Sequence, residues 1–246
     1  MDVSALPPNI AAAWGLRERP GKGPKPALSL DLVVAAGIRV AKADGIGAVS
    51  MNRVATEAGV STMALYRYVR AKDELLELMV DAAIGAPPQH DPELDWRAGL
   101  ARWSWGVRAS YQRNPWVLRV PISGPPATPN QLGWLDAGLR YLTDTGLTPA
   151  QQMSVILLLS GYVRNEASLG VDLQAGVLGE AETTAEDPMA GYGRMLRLLV
   201  DPVRFPSLSQ VVATGVLDQS DGLDDEFVFG LDRILDGIAV LTFAWR

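Results

Sequence analysis

Cysteine is absent from the 246 residues, and histidine occurs once, at His90. The first absence removes disulfides, thiolate nucleophiles and thiolate metal sites together, and fits a reducing cytoplasm. The second leaves a single histidine and no ligands at metal spacing. Gly45-Ile46-Gly47 begins like a dinucleotide-binding loop, but it lacks the third glycine and follows a helical pattern rather than a strand. The chain therefore reads as a non-enzyme with no cofactor and no metal. Long apolar runs are missing too. No stretch approaches the ~18 residues of a membrane helix, and residues 1–16 lack a basic segment followed by an apolar one. The expectation is a cytoplasmic protein without a membrane partner.

What is present is an ordinary globular composition, 48% apolar and 20% charged, with an uneven charge. The net charge of -6 speaks against nucleic acid until its distribution is read. Positions 17–72 hold ten Lys/Arg against four Asp/Glu, whereas positions 73–246 hold 12 against 23. A basic N-terminal segment on an acidic body suits a polyanion binder whose body is held off the phosphates. A solvated cluster of charge is the plainer alternative.

Prolines and glycines punctuate the chain. Residues 1–28 carry Pro7, Pro8, Pro20, Gly21, Gly23, Pro24 and Pro26, and read as a mobile basic arm with room for a short helix near 9–16. Ser29 precedes an apolar stripe (Leu32, Val33, Ala36, Val40, Ala43) that stops at Gly45. Ser50 starts a helix ending at Gly59, Ser61 one reaching about Val69, and Lys72 one ending at Gly85. Pro87-Pro88 marks a joint. Helical periodicity then recurs at 93–112, 129–145, 149–169, 188–200, 206–217 and 224–244, with a break from Gly170 to Asp187. Neither a strand nor a fixed repeat stands out. The fold class is all-α: an arm (1–28), a three-helix domain (29–85) and a larger helical domain (86–246).

Residues 51–68 read as two helices around a tight turn. Ala55 must be small where the next helix crosses, and Gly59 supplies a positive φ. Val54, Val60, Leu65 and Tyr68 fill the space between the helices. Thr62, Met63, Ala64 and Arg67 are left outward, as a helix-turn-helix needs. With "VSMNRVATEAGVS" (49–61) and "LYRYVRAKDELL" (65–76) in this order, residues 29–85 resemble the DNA-binding domain of the tetracycline-repressor (TetR) family. The resemblance implies base reading by Thr62, Met63 and Ala64, with Asn52 as a further reader. It implies phosphate and sugar contacts from Tyr66, Arg67, Tyr68 and Lys72, with Ser50 and Ser61 either joining them or serving only as caps. The basic arm is a candidate to track phosphates or enter a minor groove.

Five of the seven tryptophans lie between residues 95 and 136. For each alone, plain core is the simpler reading. As a set, and given the resemblance, Trp96, Trp103, Val107, Tyr111, Trp116, Trp134 and Tyr162, with Asn165 and Glu166 as polar fixings, are expected to line a pocket for a small apolar or aromatic effector. The tetracycline-binding members hold a metal-chelated drug through histidines. Here Tyr162 takes the matching position and His90 lies in a linker, so no metal is implied. Phe227, Leu231, Ile234, Leu235, Ile238 and Leu241 form a stripe expected to bury itself against a second copy, with an ordinary buried C-terminal helix as the alternative. The whole reads as a homodimeric repressor that leaves double-stranded operator DNA when a small effector binds. A helical small-molecule-binding or scaffold protein without a ligand switch on DNA is the other reading.

Overall fold

Three serines start three helices of the N-terminal third, each by accepting a hydrogen bond from a backbone N–H three residues on. In the computed structural model, which describes residues 6–16, 28–179, 188–218, 222 and 224–243, Ser29 caps α2 (Leu30–Asp44), Ser50 caps α3 (Met51–Glu57) and Ser61 caps α4 (Thr62–Leu65). Ahead of them stands α1 (Pro8–Ala13), and after them α5 (Lys72–Ile84). α2 packs against α3 and α5, and α3 against α4. Val33, Ala36, Val40, Val54, Leu65, Val69, Leu75 and Met79 are buried in one core. The remaining helices are α6 (Trp96–Arg113), α7 (Pro129–Arg140), α8 (Pro149–Gly179), α9 (Pro188–Leu199), α10 (Pro206–Ala213) and α11 (Asp225–Phe243). No strand occurs among the described residues, so the all-α reading holds.

Two elements depart from the periodicity. α8 continues through Gly170 to Gly179; a helical glycine costs only about 1 kcal/mol, too little to end a long helix by itself. α4 ends at Leu65, and its last turn tightens as Arg67 N–H and Tyr68 N–H bond three residues back. Part of the N-terminal arm is also better ordered than its composition suggests. Ile10 and Ala12 of α1 are buried, and α1 packs on α5. Residues 17–27, with Arg17, Arg19, Lys22 and Lys25, lie outside the described residues.

The chain forms two compact units, Met1–Ser168 with Gly237–Arg246, and Leu169–Asp236. The Pro87-Pro88 joint lies inside the first. There α5 packs against α6 and α7, and α6 against α7. Gly138 of α7 makes the close approach possible: a Cβ there would sit 2.7 Å from Ile156 of α8 and 3.1 Å from the Trp103 indole of α6. A 3-10 turn, Pro115–Arg119, sends Trp116 and Val117 into the core shared with α2 and α5. Arg164 of α8 holds this turn by donating to the carbonyls of Leu118 and Val120, at 3.1 and 3.2 Å. In the second unit α9 packs against α10 and the short turn Val216–Asp218.

Candidate nucleic-acid interface and effector region

The turn between α3 and α4 is closed by Gly59 at φ +69° and by the Val60 N–H donating to the Ala55 carbonyl at 3.0 Å. Ala55 is buried beneath that crossing, as its size requires. With Val54 and Leu65 fully buried, α4 has one direction left for its other side chains. Met63 projects with 76% of its surface exposed; Tyr66, Arg67 and Lys72 are also exposed, and Thr62 and Ala64 half-exposed. Arg67 and Lys72 make no ion pair among the described residues. Lys72 opens α5, whose N-cap Ala71 provides no side-chain acceptor for the first-turn N–H groups.

Several other polar groups are already engaged. Thr62 Oγ1 donates to Asn52 Oδ1 at 3.2 Å, so the two helices present these side chains as one polar unit. The oxygens of Ser50 and Ser61 accept from Arg53 N–H and Ala64 N–H, which makes both residues caps. The Tyr68 hydroxyl, which the resemblance assigns to a phosphate, donates inward to the Leu28 carbonyl at 2.7 Å. Arg39 and Arg53 are also committed: Glu57 accepts from both, at 2.8 and 3.4 Å, and Arg53 reaches Asp44 at 3.0 Å. The Arg39 hydrogen bond holds the Glu57 carboxyl below its usual range. This network joins α2 to α3, and the sequence's count of basic residues could not separate such internal partners from outward ones.

The residues expected to line a pocket differ in their surroundings. Trp103 and Trp134 are core: the first donates to the Trp134 carbonyl at 2.8 Å, the second to the Gly85 carbonyl at 2.9 Å, and their rings meet edge to face at 6.2 Å. Buried indoles need such acceptors, and backbone carbonyls supply them here. Trp116 is buried in the N-terminal core, and its Nε1 has no hydrogen-bond partner among the described residues. Tyr111 packs at the edge of that core. Glu166 is held bidentately by the buried Arg108 at 3.0 and 3.2 Å, tying α6 to α8. That bridge was missed because Arg108 carries no motif. Asn165 is exposed rather than inward. Trp96, Val107 and Tyr162 are half-buried. His90 stacks against Tyr141 at 4.6 Å between centroids. A cavity of about 320 Å³ lies in the second unit, lined by Arg197, Val200, Ser209, Val212, Ala213 and Gly215, none of them among the expected pocket residues. Among the described residues no cluster of acidic residues or histidine could hold a metal ion.

The expected dimer stripe also requires correction. Phe227, Leu231, Leu235 and Ile238 are at most 3% exposed within a single chain, so they cannot be the face that meets a partner. Ile234 is half-buried, and of the six only Leu241 is exposed. The outward apolar residues of α11 are Val228, Phe229, Val240 and Leu241. α8 divides in the same way, with Val155, Ile156, Leu159 and Val163 buried and Met153, Leu157 and Leu158 outside.

Residues 33–79 match the model of bacterial regulatory proteins of the tetR family, and residues 87–242 match that of the tetracyclin repressor-like C-terminal domain. The HTH-type transcriptional repressor DrrR1 of Streptomyces coeruleorubidus is 37% identical over 233 residues, covering 93% of this chain and 84% of the relative. Among solved structures, the Streptomyces coelicolor TetR family protein ActR in complex with actinorhodin aligns at a TM-score of 0.70 and 25% identity, over 88% of this chain and 97% of that one. Apo ActR aligns at 0.69 and 25%, over 87% and 98%.

Proposed function

The chain belongs to the TetR family of transcriptional regulators, and on that premise we propose that a homodimer of it represses transcription from a palindromic operator and is released by a small molecule bound in its helical body. The observation that carries the DNA half is the outward face of α4 and its flanks. Met63 stands clear of a closed core, with Tyr66, Arg67 and Lys72 exposed beside it. Met63 and Ala64 suit the methyl group of thymine. The Asn52 amide, its oxygen taken by Thr62, offers its NH2 to base-edge acceptors instead of pairing with adenine through both atoms. Arg67, Tyr66 and Lys72 contact phosphates, Lys72 beside the N–H groups that open α5.

The effector half is supported by ActR, whose structure holds actinorhodin. In this chain the half-buried Val107, Tyr111 and Tyr162 of α6 and α8 are the positions best placed to meet an aromatic guest. The Arg108–Glu166 bridge between the same helices is the polar contact such a guest would disturb. Repression by this chain agrees with DrrR1, itself an HTH-type transcriptional repressor. Dimerisation uses the outward faces of α8 and α11, and the protein acts in the cytoplasm, where its operator is.

Selecting duplexes from a random library tests the reading. Retained sequences should form an inverted repeat with half-sites about one helical turn apart. Lys72→Gln should weaken binding to all sequences alike and lower the salt slope of the dimer by about two, one phosphate per protomer, whereas Met63→Ala should relax the preference at one base pair per half-site. Enrichment of no sequence above bulk DNA would overturn it.

A further inference from the structure

α1 lies outside both spans that match the family, yet it is fastened at two places. Ile10 and Ala12 are each 8% exposed, and Ala13 packs against the N-terminal core. Gly15, at φ +65°, ends the helix and turns the chain, with Leu16 N–H bonded to the Ala11 carbonyl at 2.8 Å. On one side Asn9 donates its amide hydrogen to the carboxylate of Glu77, in α5. On the other, the Trp14 indole donates to the Ala127 carbonyl at 2.9 Å, two residues before α7 begins.

Those two anchors lie on opposite sides of one joint. The buried Asp81 of α5 closes it, accepting from Thr128 Oγ1 at 2.5 Å and from the N–H groups of Asn130 and Gln131 at 3.0 and 3.1 Å. α5 carries the DNA-reading helices at its start and meets α7 of the body at its end. The same N-terminal chain then rejoins the helix-turn-helix at Leu28, whose carbonyl takes the Tyr68 hydroxyl.

We propose that residues 6–16 are a strap. They clamp α5 to the start of α7, fix the angle at which the helix-turn-helix leaves the body, and so set the half-site spacing that the dimer accepts. This inference rests on the operator-binding reading above. It differs from a DNA-tracking arm, because the fastened residues carry no positive charge and both anchors are protein groups.

The test compares the full chain with one lacking residues 2–16, which keeps the basic stretch 17–27, and with the milder Asn9→Ala/Trp14→Phe double variant. The probes are duplexes selected by the full chain, and the same duplexes with one or two base pairs inserted at the dyad. Without the strap, affinity for the original spacing should fall about fivefold, and discrimination against the altered spacings should shrink by a similar factor. Hydrogen exchange should quicken at the amides of 78–84 and 130–133 by about tenfold, and stay unchanged at 155–163 in α8. The double variant should move both readouts in the same direction. Equal losses on every spacing, an altered salt slope with discrimination kept, or exchange that rises everywhere or nowhere would each overturn the strap. If the full chain selects no duplex, the operator reading falls, and the exchange pattern still decides whether α1 clamps the joint.

Discussion

Tyr66 and Tyr68 stand two positions apart in one motif, and the fold sends them to different work. Tyr66 is 44% exposed, while Tyr68 is half-buried with its hydroxyl hydrogen on the Leu28 carbonyl. Removing that hydroxyl should therefore act on stability. Tyr68→Phe should cost about 1 kcal/mol in chemical denaturation and leave the salt slope of DNA binding unchanged. Tyr66→Phe should keep the stability and weaken DNA binding. An exchange of these two outcomes would return the phosphate role to Tyr68. The difference was not legible in the sequence, because the partner of Tyr68 lies 40 residues away. The caps Ser29, Ser50 and Ser61 were legible, since each bonds only three residues ahead. The tryptophans show the same limit. Composition marks Trp103 and Trp134 as large rings in need of burial, but only packing tells a core indole from one that lines a ligand.

At the scale of helices, starts and stops were readable wherever a cap, a proline or a glycine wrote them locally. α5, α6, α7 and α10 follow that punctuation to within a few residues at most ends. What joins one helix to the next was not readable. Asp81 looks like one more charge on α5, yet its carboxylate takes the place of a cap for α7, where Thr128 makes no side-chain cap of its own. Burial at 8% exposure and several donors make it costly to replace. Asp81→Ala should destabilise the chain by about 2–3 kcal/mol, since it strands the N–H groups of Asn130 and Gln131. Asp81→Asn should cost less, because one oxygen still accepts from them, while its new NH2 faces the donating amide of Asn130. Equal stability of all three chains in urea would mean that α7 is capped by water, with no latch at the joint.

For the whole molecule, the acidic body and basic N-terminal segment argue for an orientation on DNA, and the exposed apolar faces argue for a partner. In the proposed dimer, the two copies must hold their recognition helices about one helical turn apart for both to enter a groove. Leu157 is 75% exposed on α8 and Val240 69% exposed on α11, and Gly161 and Gly237 leave open space around their backbones. Leu235, by contrast, is 1% exposed, so a charge there would unfold the chain and say nothing about assembly. Leu157→Glu should leave helicity and melting of the monomer nearly as they were, because the side chain buries little within its own chain. In a dimer packed through the outward face of α8, it would bury a carboxylate from each copy. Sedimentation should then show a monomer at concentrations where the wild type is a dimer. Operator affinity should fall by about a hundredfold or more, towards that of a single half-site, because each monomer binds without the other's contacts. Val240→Glu should do the same if α11 shares the interface. A Leu157→Glu chain that remains dimeric and binds operator as before would place the partner on another face, and would leave the apolar surface of α8 to something other than a second copy.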